Sequence, residues 1–304
     1  MEFRRIQFTG RSSYIVSLPK KWVLENNLKQ GDIVPLVINP DGSITILPKE
    51  PRGGSEKKEL EISKEYSPDM AVRLVVSAYI QGYNTLEIRF LDEMPSYKVE
   101  IRKILQLLPG IEIILDEPQR IIAKSLLDEK GVNLGEILSR IRSIVLSMIE
   151  DLELLANNPG ESEILRDLND LENELDRFYF LTIRTVNKLL SRGISPEDSD
   201  IVRRDFDLIG ILFIVRNIER IGDHIVRISE KPEVLDYSRL REFFTAFMER
   251  IYDRDLKTID RLMLELKKII QSTDSKKSTA RESYRRILEY LENIGETVIN
   301  MALS

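Results

Sequence analysis

Glu219 and Asp223 stand four residues apart, so on a helix both carboxylates share one side. They lie beside the apolar stripe Ile211, Val215, Ile218, Ile221, Ile225 and Ile228. Upstream, Glu172 and Asp176 repeat that spacing next to Leu168, Leu171 and Leu175. If the two faces meet, four carboxylates converge, and such an array of like charges is usually tolerated because a cation sits among them. Gly222, between the first pair, costs helix stability unless something approaches closely there. In a chain with 51 acids an i, i+4 pair is ordinarily a solvated helix face. Repetition argues for more. Ile218-Glu219-Arg220-Ile221-Gly222-Asp223-His224-Ile225 returns as Leu291-Glu292-Asn293-Ile294-Gly295-Glu296-Thr297-Val298, with the glycine, both acids and every apolar position kept. In this second copy Glu292 and Glu296 match Glu219 and Asp223, and Asp260 matches Asp176. Leu256 stands where Glu172 would, which leaves the second set one ligand short.

Composition narrows the chemistry. The chain has no cysteine, which excludes disulfides, thiolate metal sites and thiol catalysis. Its single histidine, His224, cannot supply the two that a ferritin-type di-iron site requires, and it is expected at the surface or in a hydrogen bond. Any metal must therefore sit among oxygen ligands, which suits iron, manganese or magnesium better than copper. No nucleophile, general base or substrate pocket can be named, so the expectation is a protein that is not an enzyme. No apolar run approaches the ~18 residues of a membrane span and the start lacks a secretory segment. A cytoplasmic location is expected.

The elements that would position these acids fall into three segments, expected over residues 1–50, 56–127 and 130–304, with Pro51-Arg52-Gly53-Gly54-Ser55 as a linker. The first reads as strands at Arg4–Phe8 and Tyr14–Leu18, a helix opened by Pro19 and running to about Leu28, then strands at Ile33–Val37 and Ser43–Leu47. So few elements bury too little surface to be stable alone, and a second copy is the simplest partner. The middle segment alternates strands and helices as a small α/β sandwich and holds no acid–base constellation, so a spacer or dimerisation module is expected. From Val132 onward the pattern is helical. Leu134, Ile137, Leu138, Ile141, Ile144, Val145, Met148, Ile149, Leu152 and Leu155 recur at three and four, the signature of a core-facing stripe. A second helix runs to Ser191 and a third from about Ser199 to Glu230. From Glu233 to Ile294 there is neither Gly nor Pro, and Gln271–Thr279 is the best candidate for a turn. The fold class is thus multidomain and mainly α: a β head, a small α/β domain and a bundle of five or six helices.

Charge is unevenly distributed. Residues 1–50 carry seven basic side chains against five acids, a net of +2, whereas the whole chain is −6 and the remainder therefore −8. Arg4, Arg5, Arg11, Lys20 and Lys21 oppose only Glu2 and Glu25 over residues 1–28. On the sheet face and loops of a dimer such a cluster could follow DNA phosphates. Trp22 is better placed in the core than against a base.

Two resemblances bear on these readings. Glu219-Arg220-Ile221-Gly222-Asp223 resembles the signature of PhoU proteins, regulators of phosphate uptake, over about residues 130–304. That likeness implies two three-helix repeats and multinuclear metal clusters held by Glu/Asp-x-x-x-Asp motifs, carried here by Glu172, Asp176, Glu219 and Asp223, then by Asp260, Glu292 and Glu296. Thr9-Gly10-Arg11-Ser12-Ser13-Tyr14, Ser17-Leu18-Pro19-Lys20-Lys21-Trp22 and Leu28-Lys29-Gln30-Gly31-Asp32 resemble the AbrB/MazE-type swapped-hairpin domain. That likeness implies a homodimer with interleaved hairpins that contacts DNA through Arg4, Arg5, Arg11, Lys20 and Lys21. Together they imply a metal-binding, DNA-binding regulator of phosphate homeostasis. The rival expectation is an adaptor whose head only dimerises and whose bundle grips a phosphate transporter or sensor kinase at the membrane.

Overall fold

The computed structural model describes residues 3–10, 13–38, 42–48, 57–127, 132–192, 199–274 and 276–303. The chain divides into two units, Met1–Gly54 and Ser55–Ser304.

In the first unit β1 (Gln7–Thr9) pairs antiparallel with β2 (Ser13–Ile15), Gln7 opposite Ile15 and Thr9 opposite Ser13. Both strands are shorter than the sequence suggests, because residues 4–6 and 16–18 find no strand partner among the described residues. Helix α1 (Lys20–Glu25) also ends early. Asn27 takes the left-handed conformation (φ 53°), its N–H donates to the Leu24 carbonyl, and Leu28 N–H donates to the Val23 carbonyl. That is a Schellman stop with Asn doing the work usual for Gly. Strands β3 (Leu36–Ile38) and β4 (Ile44–Ile46) form a second antiparallel pair. None of the described residues of this unit is buried, and Phe3, Ile6, Phe8, Tyr14, Ile33 and Ile38 are exposed. Apolar side chains exposed on this scale are the kind of surface that interaction sites are made of.

The second unit begins with a two-layer α/β domain: β5 (Lys57–Ile62), α2 (Pro68–Ile80), β6 (Thr85–Phe90), α3 (Pro95–Leu107), β7 (Ile111–Glu117) and β8 (Arg120–Ser125). The sheet order is β5-β6-β8-β7, with β5 and β6 parallel and the other neighbours antiparallel. Alternation sends Leu60, Ile62, Leu86, Ile88, Ile121 and Ala123 into the core with Val75, Tyr79, Ile101 and Leu105. The opposite face is charged. At its centre the Glu87 carboxylate lies 2.5–2.9 Å from Lys57, Arg89 and Arg120, which hold it down to about 2.

Six helices follow among the described residues: α4 (Leu134–Asn157), α5 (Ser162–Arg192), α6 (Asp205–Ser229), α7 (Tyr237–Asp253), α8 (Leu256–Ser272) and α9 (Thr279–Leu303). Every member of the α4 stripe is buried, and the Asn133 side chain caps the helix by accepting from the Gly135 and Glu136 N–H groups. The turn expected at Gln271–Thr279 separates α8 from α9. Helix α6 starts later than Ser199, because the Asp207 carboxylate accepts from the Arg203 and Arg204 N–H groups and fixes the first turn there. The α7–α8 break is made without Gly or Pro: Arg254 is left-handed (φ 56°) and the Asp255 side chain caps α8 by accepting from Lys257 N–H.

The α/β domain is tied to the bundle rather than merely strung before it. Arg184 on α5, 2% exposed, donates to the Tyr79 and Tyr83 carbonyls at 2.6 and 3.0 Å and to Asn84 Oδ1 at 2.5 Å. Its guanidinium lies 4.8 Å from the centre of the Tyr79 ring. The Tyr79 carbonyl, which also accepts from the Gly82 N–H, and the Tyr83 carbonyl just beyond α2 are thereby both held by α5.

Candidate functional site

Helices α5 and α6 run antiparallel, as the contacts Tyr179–Arg216 and Leu175–Gly222 require. A Cβ on Gly222 would lie 2.4 Å from Leu175 Cδ2, so the missing side chain is what lets α5 come close. This is the level of the paired acids. Asp176 is pushed up to about 7, first by burial and then by the charges of Glu172, Glu219 and Asp223. Burial also raises Glu172, with Asp223 adding to it. Glu219 is raised by burial and by Asp223, an effect that Arg216 and Arg220 partly offset. The four acids therefore lie within electrostatic reach of one another.

Two arginines not singled out from the sequence complete the site. Arg216 Nη1 lies 3.1 Å from Glu219 Oε1 and 3.4 Å from the Tyr179 hydroxyl, and Arg220 Nη1 lies 3.2 Å from Asp223 Oδ2. Both pairs are i, i+3 on α6, so the spacing alone could have found them. Glu219 Oε2 is buried and accepts no hydrogen bond, with Arg220 Nε 3.7 Å away. A set of carboxylates with one buried lone pair unused suits a hard cation in donor chemistry. Among the described residues, however, no three acidic or imidazole groups stand close enough to enclose one. His224 is half-buried with its ring 5.7 Å from that of Tyr290 on α9, and its Nδ1 has no hydrogen-bond partner. A further carboxylate pair escaped the sequence reading: Asp151 on α4 is pushed up to about 6 by burial and by Asp167 on α5.

The second set is placed differently. Asp260 on α8 and Glu296 on α9 are exposed, and Glu292 is half-buried. Leu256, in the place of Glu172, opens α8 and is 40% exposed. A Cβ on Gly295 would meet the Phe247 ring of α7 at 2.8 Å and Met263 of α8 at 3.2 Å, so this glycine admits two helices.

In the head, Arg4, Arg5, Lys20 and Lys21 are exposed, with Lys21 3.8 Å from Glu25. Arg11 lies outside the described residues. Among the described residues no helix is long and apolar enough to cross a membrane.

Residues 7–54 match the family model of the antidote-toxin recognition protein MazE, a bacterial antitoxin. Residues 138–231, which end with α6, match the PhoU domain model. No curated protein and no solved structure matches the chain significantly. The chain joins a MazE-type segment at its head to a PhoU domain spanning α4 to α6.

Proposed function

We propose that this protein is a cytoplasmic regulator of phosphate homeostasis that dimerises and binds DNA through its head and senses a metal ion through its bundle. One observation carries the reading: a MazE-type segment and a PhoU domain occur in one chain. Both are regulatory rather than enzymatic families. The uncovered apolar side chains of the head support a homodimer. In the bundle, Glu172, Asp176, Glu219 and Asp223 would hold iron, manganese or magnesium, and Asp260, Glu292 and Glu296 would form a poorer second site. A bound cation would supply the positive charge that four mutually repelling carboxylates lack. The protein's own part is to bring those carboxylates together and keep Arg216 and Arg220 beside them. A phosphate transporter or sensor kinase at the membrane is the partner through which the adaptor reading would act.

DNA binding is the exposed part of this proposal. With Arg4, Arg5 and Arg11 on phosphates in both halves of a dimer, each neutralised phosphate contributes about −0.9 to the slope of log affinity against log salt. Affinity for the upstream DNA of the protein's own gene should fall steeply with salt, and Arg11→Ala should flatten the slope by about 2. A low-salt titration with neither affinity nor an Arg11 effect leaves the adaptor as the better reading.

A further inference from the structure

Helix α6 carries a second feature on its outer side. Phe206, Ile209 and Phe213 are 45%, 44% and 60% exposed, a row of large apolar side chains left in water. The row continues through Arg216, Arg220 and Arg227, all exposed, with Asp223 at the step between the last two. Positions 206, 209, 213, 216, 220, 223 and 227 thus fall on one line of alternating three- and four-residue steps. Arg216 and Arg220 pair with Glu219 and Asp223 of the same helix, and Arg227 carries the seam's remaining positive charge. That spacing is the seam along which one helix packs against another.

The bundle itself does not require this row. Aligning Gly222 with Gly295 puts Thr279, Glu282 and Arg286 of α9 where α6 has Phe206, Ile209 and Phe213, and all three are exposed. The same helix position in the duplicate is thus polar and solvated, and the apolar version on α6 is a property of a surface rather than of the core.

We propose that the outer face of α6 docks an amphipathic helix of a different protein, one with apolar residues opposite Phe206, Ile209 and Phe213 and carboxylates opposite Arg216, Arg220 and Arg227. The charges select this occupant. A second copy in parallel would set arginine against arginine, and in antiparallel would set the arginines against Phe206 and Ile209. An anionic lipid surface meets a ridge only one residue wide, on a chain whose residues beyond 50 carry −8. An acidic helix running antiparallel satisfies both halves of the seam, and glutamates in its first turns also favour its own helicity. This inference needs neither the metal nor the DNA reading, although Arg216, Arg220 and Asp223 belong both to the seam and to the carboxylate group.

The test uses the full chain and a labelled synthetic helix of about 22 residues, the length of the seam. Glutamates occupy its first-half seam positions and leucines its second half. Anisotropy should show saturable binding that Phe213→Asp weakens by at least about tenfold, the loss expected for a central aromatic contact. Arg227→Glu should weaken it as well, while Arg286→Asp on α9 leaves it unchanged. Circular dichroism controls for folding, which the exposure of all three side chains favours. Four outcomes overturn the proposal: no binding, equal binding of a peptide with lysine in place of glutamate, indifference to Phe213→Asp, or a drop in oligomeric state in that variant, which would assign the seam to a second copy.

Discussion

Helices α6 and α9 share a glycine and a pair of acids at one spacing, yet their surroundings part company. Beside α6, Glu172 and Asp176 on α5 face Glu219 and Asp223, and the burial of the group drives Asp176 up to about 7. Beside α9, Asp260 and Glu296 face water and Leu256 occupies the fourth position. The compensating arginines differ too: Arg216 and Arg220 correspond to Glu289 and Asn293 when the glycines are aligned. The glycines also differ in their nearest neighbour, Leu175 of α5 in one case and Phe247 of α7, with Met263 of α8 close behind, in the other. Duplication can preserve a motif without preserving the packing that makes it a site. What distinguishes the first repeat is that its partner helix brings acids to face acids and partly buries them, whereas α8 offers Leu256 and an exposed Asp260.

The strongest test of this contrast attacks the joint between the repeats. Arg254, 3% exposed at its side chain, donates to the Asp207 carboxylate at the start of α6, to the Ile201 carbonyl, and to the Met301 carbonyl near the end of α9. Asp207 is itself fully buried. Arg254→Ala removes one member of a buried pair and strands the other, a change that costs about 3–5 kcal/mol. Urea denaturation should show that loss. A cost under about 1 kcal/mol would mean that the repeats are held by apolar contact alone, as surface substitutions are.

Metal content sharpens the comparison next. Glu219→Ala with Asp223→Ala should lose most of the metal carried by purified protein, whereas Asp260→Ala with Glu292→Ala should keep most of it. Helicity should be retained in both, because the substituted side chains lie at the rim of the core and alanine favours helix. Equal losses in the two double variants would erase the distinction, and unchanged content in the first would remove the site.

Much of this was legible in the chain, and the illegible parts share a cause. The α4 stripe, the turn before α9 and the acid spacing are local periodicities, readable because a helix repeats every 3.6 residues. The α7–α8 break was not, since Arg254 is held left-handed by distant carbonyls and a distant carboxylate rather than by its own type. Residues 199–204 were expected to be helical, and only the Asp207 capping contacts place the start at Asp205. The middle domain is expected to be a spacer or dimerisation module, and nothing in the spacing of Arg184 announces that it will reach Tyr79, 105 residues away in the chain. Convergence of Glu172 and Asp176 with Glu219 and Asp223 could be anticipated from their apolar neighbours, but the degree of burial could not, and burial is what separates the two repeats.

The smallest expected effect isolates that burial. In the folded protein Asp176 titrates at about 7 against an ordinary 3.8. Between those values the folded state holds a proton that the unfolded chain has released, so this group's contribution makes stability fall as pH rises from about 4 to 7. Above that window the buried charge is a standing cost. A shift of about three units corresponds to an upper bound of about 4 kcal/mol. The repulsion is shared among four carboxylates and partly screened, so Asp176→Asn should stabilise the metal-free protein by about 1–2 kcal/mol at pH 8. The gain should vanish near pH 4, where Asp176 is already protonated. Asp260→Asn, on an exposed carboxylate, should stay within about 0.5 kcal/mol at either pH. Denaturation of both variants and the parent in chelator at the two pH values gives the comparison directly, with all other titrating groups cancelling between proteins. Equal gains at the two positions would show that general acidity, and not burial against α5, sets the cost. A gain at Asp176 alone, lost on adding iron, manganese or magnesium, would tie the buried charge to a bound cation.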